Sequence, residues 1–110
     1  ADMREAPSLR IIEEFRKRGA KDIIAYDPVA IAETKKVIGD SVEYAFSVEG
    51  ALSGSDLAVI VTEWDEFVSL PPEIFVENMR TPVVIDTRRI YDPEEFGGKV
   101  RYFAVGRGEV

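Results

Sequence analysis

The sequence predicts an α/β domain with a mostly parallel sheet between two layers of helices. Short apolar runs alternate along the chain with segments of helical spacing, which is the pattern of parallel βα units. The run LAVIV at 57–61 is continuously apolar, and this favours a strand covered on both faces of a sheet. Polar residues follow such runs directly, at the sheet edge where folds of this class bind ligands.

Length and composition restrict the possible functions. With 110 residues, 45% of them hydrophobic, the chain suffices for a single domain spanning 1–110. Its 14 basic and 21 acidic residues give a net charge of −7, so we expect neither a nucleic acid nor a membrane as partner. The sequence contains no cysteine and no histidine, which excludes thiol nucleophiles, thiolate zinc sites and imidazole bases. It shows no signal peptide and no apolar run near the ~20 residues of a membrane span, so we expect a cytoplasmic location.

The first half of the chain predicts three helices and two strands. Apolar residues on one helical face, with Pro7 in the first turn and Gly19 as a stop, predict a helix over 8–18. The other elements of this half are strands at 22–26 and 42–46, a helix from Pro28 to about Gly39 that buries Ala30, Ile31, Thr34 and Val37, and a brief helix at 47–52 closed by Gly54.

The second half begins with the strand at 57–61. Thr62 can cap a helix or turn there, with Asp65 as the acidic partner three residues on. Trp64 and Phe67 then pack this segment onto the sheet, as aromatic side chains mostly do. The remaining elements are a helix over 73–79 opened by Pro71-Pro72, a strand at 83–85 after Pro82, a short helix or turn from Asp92-Pro93 to Gly97-Gly98, a strand at 102–105 and a tail at 106–110.

This order of elements describes a Rossmann-like, three-layer domain that lacks the usual first strand. In a doubly wound sheet the first strand lies between the second and the fourth, whereas this sequence opens with a helix. The strands at 22–26 and 57–61 would therefore flank a vacancy with unpaired backbone groups. We expect the gap to be closed by direct pairing, or filled by another chain or by residues outside this sequence.

Polar residues that follow the predicted strands supply the candidate site. Arg88 is the sharpest of them, because an arginine directly after a buried strand can give bidentate hydrogen bonds to phosphate oxygens. The alternative, at even odds, is an ion pair with Asp86 or a neighbouring acid. The residues expected at the carboxyl edge are Asp27, Thr62, Glu63, Asp86, Arg88 and Tyr91.

For the acidic candidates, a structural role is favoured over a role in binding or catalysis. Asp27 resembles the acid that holds a ribose in dinucleotide sites, but no glycine-rich turn precedes it and helix capping is favoured. Glu63 and Asp65 could form a general acid/base pair, although a solvated surface role is the stronger hypothesis among 21 acidic residues. No residue of the chain is assigned as catalytic, and no metal-ligand cluster is expected.

Several segments together resemble one family. The sequence is similar to the C-terminal, nucleotide-sugar-binding domain of UDP-glucose 6-dehydrogenase and related UDP-sugar dehydrogenases. The similar segments cover nearly the whole chain in the family's order: DMREAPSL at 2–9, GAKDIIAYDP at 19–28, LSGSDLAVIVTEWDEF at 52–67, PVVIDTRRIYDPE at 82–94 and YFAVGRG at 102–108.

The resemblance implies a role in NAD-dependent oxidation of a UDP-sugar to the 6-carboxylate. Arg88 matches the family arginine that contacts the UDP-sugar, and Arg4 matches the one that reaches the NAD. The family's catalytic cysteine and NAD-binding domain lie upstream and have no counterpart in this sequence, so the implied partners are a UDP-sugar and the missing catalytic domain, with a homo-oligomer possible. The competing hypothesis is a non-catalytic α/β interaction module that completes a separate subunit.

Overall fold

One or two helices connect each strand to the next along the described residues, and every described strand pair is parallel. The computed structural model describes residues 2–29, 31–40 and 42–105, without the side chains of 2–9 and Val37; the tail at 106–110 lies outside this part. The α/β, Rossmann-like class is therefore confirmed. The elements are α1 (Asp2–Lys17), β1 (Ile24–Ala25), α2 (Ile31–Ile38), β2 (Glu43–Tyr44), α3 (Val48–Leu52), β3 (Ala58–Ile60), α4 (Asp65–Val68), α5 (Pro72–Asn78), β4 (Val83–Asp86), α6 (Pro93–Gly97) and β5 (Arg101–Ala104).

The strands fall into two sheets. The chain divides into two compact units at the boundary between residues 51 and 52, and each unit holds one sheet. The first sheet has the order β1-β2 and the second β3-β4-β5. Among the described residues, each strand pairs within its own unit. How the vacancy expected between the strands at 22–26 and 57–61 is closed stays a prediction. That residues 1–110 make a single domain stays a prediction.

The first unit differs from the sequence-based expectation at its first helix. The backbone of α1 is helical from Asp2 rather than from position 8, so Pro7 lies inside the helix and not in its first turn. The residues before Pro7 are mostly good helix formers, and they keep the helix although the proline removes one backbone donor. Gly19 ends α1 as predicted: it has a positive φ of 101°, and the Ala20 amide bonds back to the Phe15 carbonyl.

The second unit buries one face of its three-stranded sheet. Along β4 the side chains alternate between half-buried and buried, and along β5 between exposed and buried. Along β3, in the continuous apolar run, Ala58 and Ile60 are buried and Val59 on the other face is half-buried, so no residue of β3 is exposed. That this run is covered on both faces stays a prediction. Helix α6 packs against β5 on the buried side, whereas Phe103 on the opposite side is 41% exposed.

Four aromatic rings form the core beside this sheet. Phe96 stacks on Tyr91 with 4.1 Å between ring centroids, and Phe75 meets Phe96 edge-on at 5.8 Å. Tyr102 of β5 approaches Phe96 at 5.5 Å. Phe75 and Phe96 are each 1% exposed. Since Tyr91 lies just after β4, this cluster fixes the path of the chain where it leaves the sheet.

Short helices connect the strands of the second unit. Helix α4 is a single turn whose N-cap is Trp64, with no side-chain cap bond, so the predicted capping by Thr62 is wrong. Trp64 and Phe67 are half-buried rather than core. Helix α6 begins as predicted, because the Asp92 carboxylate accepts a hydrogen bond from the Glu94 amide at 3.0 Å. No helix among the described residues is long and apolar enough to cross a bilayer.

Candidate functional site

The carboxyl ends of β3 and β4 bring two polar segments to the same sheet edge. The two strands are parallel, and Ile60 is the register partner of Asp86. The segments that follow, 61–67 and 87–91, therefore leave the sheet side by side. They contain Thr62, Glu63, Arg88 and Tyr91, so four of the predicted edge residues lie on adjacent segments.

Three hydrogen bonds tie these two segments together. The amide and hydroxyl of Thr87 both donate to the Ile60 carbonyl, at 3.0 and 2.6 Å. The phenolic hydroxyl of Tyr91 donates to the Phe67 carbonyl at 2.6 Å. The sequence did not single out Thr87, because no local spacing connects it with a carbonyl 27 residues away. The result is a defined surface made by both segments.

Asp86 is the buried centre of this edge. It is fully buried, and no arginine or lysine side chain is among the hydrogen-bond donors that the structure describes for it. Its Oδ1 accepts from the Arg88 amide at 3.1 Å. Its Oδ2 accepts from the amides of Ile90 and Tyr91 at 2.8 and 3.1 Å and from the Tyr102 hydroxyl at 2.6 Å.

These bonds shape the turn that carries Arg88. The chain can bend back to the Asp86 carboxylate because Arg89 adopts a left-handed conformation, with φ at 54°. Arg89 is the only residue other than glycine with a positive φ among the described residues. Left-handed backbone at a non-glycine position is uncommon and persists where surrounding bonds hold it. The Asp86 carboxylate supplies those bonds here.

Arg88 extends from this turn and pairs with Glu63. Its Nε and Nη2 both donate to Glu63 Oε2, at 2.9 and 2.5 Å. The two side chains are 48% and 53% exposed, so the pair lies at the surface. The alternative of an ion pair with a neighbouring acid is thus observed. The partner is Glu63 and not Asp86, because the Asp86 oxygens are occupied by backbone amides and Tyr102.

The pKa values of two tyrosines beside Asp86 are raised. Burial raises the pKa of Tyr91 well above its ordinary value, and the nearby Asp86 carboxylate raises it further. The pKa of Tyr102 is raised in the same direction, first by burial and then by its hydrogen bond to Asp86. Both phenols consequently stay protonated and act as donors at neutral pH.

The remaining candidates have other surroundings. Asp27 belongs to the first unit, where its carboxylate accepts from the Val29 amide at 2.9 Å and the Thr34 hydroxyl at 2.7 Å. Because α2 begins at Ile31, the bond to Val29 closes a turn before the helix, and the predicted N-cap at Asp27 is wrong. Asp65 is exposed on α4. Arg4 lies in α1, and its side chain is outside the described part. The described residues contain no group of three or more acidic side chains placed to hold a metal ion.

A second surface ion pair joins the same two strands at their other ends. Arg80, which precedes β4, donates from Nε and Nη2 to the two carboxylate oxygens of Asp56, which precedes β3, at 2.8 and 2.6 Å. Thr81 donates to the same carboxylate at 3.2 Å. This pair lies at the amino edge of the sheet, opposite to Arg88 and Glu63.

Comparison with known proteins finds relatives along almost the whole chain. The family model described as UDP-glucose/GDP-mannose dehydrogenase family, UDP binding domain, matches residues 1–93. UDP-glucose 6-dehydrogenase YwqF of Bacillus subtilis is 38% identical over 99% of this chain and 25% of its own length. A UDP-glucose 6-dehydrogenase of Rhizobium meliloti is 32% identical over 96% of this chain and 24% of its own length. UDP-glucose 6-dehydrogenase AglM of Haloferax volcanii is 37% identical over 86% of this chain and 21% of its own length. The chain therefore spans about a quarter of the length of these relatives, or less.

Proposed function

This chain belongs to the UDP-glucose/GDP-mannose dehydrogenase family, whose UDP binding domain it matches, and we propose that it is the UDP-sugar-binding part of an NAD-dependent UDP-glucose 6-dehydrogenase. The relatives named UDP-glucose 6-dehydrogenase support UDP-glucose as the sugar nucleotide. The complete enzyme would oxidise it to UDP-glucuronate. Because the chain spans about a quarter of those relatives, the oxidation itself is proposed only for that complete enzyme.

The observation that carries this proposal is the position of Arg88. Its guanidinium lies just beyond the carboxyl end of β4, half-exposed, on a turn fixed by a buried carboxylate. A guanidinium presents paired N–H donors that match phosphate oxygens, and the carboxyl edge is where open α/β sheets bind ligands. In a chain of net charge −7 an anionic ligand needs such a local cation. We assign to Arg88 the diphosphate of the UDP-sugar.

The redox chemistry is assigned to other parts of the enzyme. The chain has no cysteine, and its sequence carries no glycine-rich dinucleotide fingerprint after a strand. NAD would be bound mainly by another domain, with Arg4 of this chain reaching it. The proposed partners are therefore a UDP-sugar and the catalytic domain, in a cytoplasmic enzyme that can form a homo-oligomer.

Calorimetric titration with UDP and with UDP-glucose tests this assignment. We expect the 110-residue chain to bind both nucleotides, and Arg88→Ala to weaken that binding at least tenfold. Arg80→Ala is the matched control, because it removes a guanidinium from the same pair of strands at the amino edge. Equal affinities of the wild-type chain and Arg88→Ala would contradict the role of Arg88, and absence of heat with the wild-type chain would contradict the function.

A second candidate function follows from β3, which lies at an edge of its sheet among the described strands. Strands that need a neighbour can acquire it from another chain, as in strand addition. The chain would then be an interaction module that completes a separate subunit. Size-exclusion chromatography with light scattering separates the two hypotheses: a tight assembly without affinity for UDP favours the module, whereas a monomer that binds UDP favours the first.

A further inference from the structure

The two arginine–carboxylate ion pairs described in the second unit differ in how each carboxylate uses its oxygens. In the amino-edge pair, Arg80 contacts both oxygens of Asp56, one with each nitrogen. In the carboxyl-edge pair, Nε and Nη2 of Arg88 both converge on a single oxygen, Oε2 of Glu63. Glu63 therefore approaches the guanidinium from its Nε side.

Among the described residues, this approach leaves the end of the Arg88 guanidinium without a partner. A guanidinium has five N–H donors: one on Nε and two on each terminal nitrogen. Glu63 takes one from Nε and one from Nη2 of Arg88. Three remain, two on Nη1 and one on Nη2. One from each of these nitrogens forms the end-on fork that binds phosphate oxygens in pairs. A diphosphate can thus bind to Arg88 without displacing Glu63.

We propose that Glu63 is a positioning residue, which holds the Arg88 side chain so that its end-on fork is ready for the diphosphate. The proposal rests on the function proposed above. A long arginine side chain loses rotamer freedom when it binds a ligand, and a tether present beforehand removes part of that penalty. The turn fixed by Asp86 orders only the Arg88 backbone amide, which is bonded to Oδ1. The guanidinium, several bonds further out, needs the second support that Glu63 gives.

Simple electrostatics makes the opposite prediction. Glu63 is a carboxylate beside the proposed anion site, so repulsion alone predicts that its removal strengthens nucleotide binding. Orientation predicts that its removal weakens binding. The sign of the change in affinity therefore separates the two effects.

The test compares UDP affinities of four variants by calorimetry. We expect Glu63→Ala to bind UDP about two- to tenfold more weakly than the wild-type chain, the range that immobilising one long side chain implies. Glu63→Gln keeps an oxygen that can accept from Nε and Nη2, so we expect it to restore affinity to the wild-type level or above. Asp56→Ala breaks the amino-edge pair and should leave the affinity within twofold. Arg88→Ala reports on the proposed function itself.

A ligand-free measurement supports the same comparison. In nuclear magnetic resonance relaxation of arginine side chains, the Nε–H of Arg88 should be ordered in the wild-type chain and in Glu63→Gln, and mobile in Glu63→Ala. The substitutions at Glu63 and Arg88 do not alter the core, because both side chains are about half exposed. The variants are therefore expected to fold, which thermal unfolding checks.

Each result has a distinct meaning. If the wild-type chain binds UDP and Arg88→Ala weakens this binding, but Glu63→Ala binds as tightly as the wild type or more tightly, the positioning role is overturned and the UDP site stands. If the wild-type chain does not bind UDP, the proposed function fails and the positioning role fails with it. If the wild-type chain binds UDP and Arg88→Ala binds it equally well, the role of Arg88 and the positioning role of Glu63 both fail. Weaker binding by Glu63→Ala, with rescue by Glu63→Gln, establishes the role.

Discussion

The phenolic hydroxyl of Tyr102 donates a 2.6 Å hydrogen bond to Oδ2 of Asp86, which joins the last strand to the turn that carries Arg88. The same carboxylate binds three backbone amides of that turn. Asp86 is therefore satisfied entirely by neutral donors among the described residues. Buried carboxylates persist when hydrogen bonds replace the water that they lose. The geometry of the candidate site thus depends on one buried side chain.

We predict that Asp86→Ala destabilises the second unit by about 3 kcal/mol or more. The change leaves the buried Tyr91 amide, the buried Tyr102 hydroxyl and the part-buried amides of Arg88 and Ile90 without their acceptor, and an unsatisfied buried donor costs about 1–3 kcal/mol. Urea unfolding followed by the fluorescence of Trp64, the single tryptophan of the chain, measures the loss. Asp86→Asn should lose less, because it keeps one carbonyl oxygen. Asp56→Ala is the exposed control and should change stability by less than about 1 kcal/mol.

The raised pKa values of Tyr91 and Tyr102 predict a loss of stability at alkaline pH. An unfolded tyrosine ionises near pH 10. Above that pH the unfolded state has lost protons that the folded state still holds, so the free energy of unfolding decreases as pH rises; below it this contribution is fully present. Urea unfolding between pH 8 and 11 measures the slope. Tyr102→Phe should make the decrease shallower, and an unchanged slope would contradict the assignment.

Phe96 is predicted to be the most sensitive position of the aromatic cluster. It is 1% exposed and contacts the rings of Phe75, Tyr91 and Tyr102. We expect Phe96→Ala to reduce the free energy of unfolding by about 3–5 kcal/mol, as cavities left by buried aromatic residues do. Phe46→Ala serves as the control, because Phe46 is 89% exposed and should cost less than about 0.5 kcal/mol.

A ligand series locates the group that Arg88 recognises. We predict that UDP binds more tightly than UMP, because the second phosphate supplies further oxygens for the guanidinium. In Arg88→Lys, which keeps the charge but loses the planar fork, the difference between the two nucleotides should shrink. Calorimetry with UDP, UMP and uridine measures it. A difference of the same size in Arg88→Lys and in the wild-type chain would show that the contact to the second phosphate lies elsewhere.

The chain alone is predicted not to oxidise UDP-glucose. It has no cysteine and no histidine to serve as nucleophile or imidazole base. Incubation of the purified chain with UDP-glucose and NAD should give no increase in absorbance at the NADH band. Turnover that persists through further purification would refute this prediction.

Local sequence patterns predicted the elements and their order, and they placed Arg88 at the correct edge. These predictions succeeded where the residues that determine a feature lie close together in the sequence. Asp92 caps α6 through a residue two positions away, and Gly19 ends α1 with a positive φ. The boundaries shifted by a few residues, most at α1, where residues that favour helix continue the helix on both sides of Pro7.

The contacts that define the site could not be predicted in this way. Glu63 and Arg88 are 25 residues apart, and nothing local distinguishes Glu63 from the other acidic residues as the partner. Tyr102 approaches Asp86 only because β5 lies beside β4 in the sheet. The one available signal for this contact was a tyrosine at a buried position of a predicted strand, because its hydroxyl needs a hydrogen-bond partner.

The two supports of Arg88 differ in their sensitivity to dissolved ions. The bonds from backbone amides and Tyr102 to the buried Asp86 carboxylate are buried or part-buried, whereas the bond from the guanidinium to Glu63 is half-exposed and subject to screening. Raising the salt concentration should therefore loosen the guanidinium while the turn beneath it keeps its form. The affinity of such a binding surface for a nucleotide can therefore vary with the salt concentration of the surrounding solution, without any part of the chain unfolding.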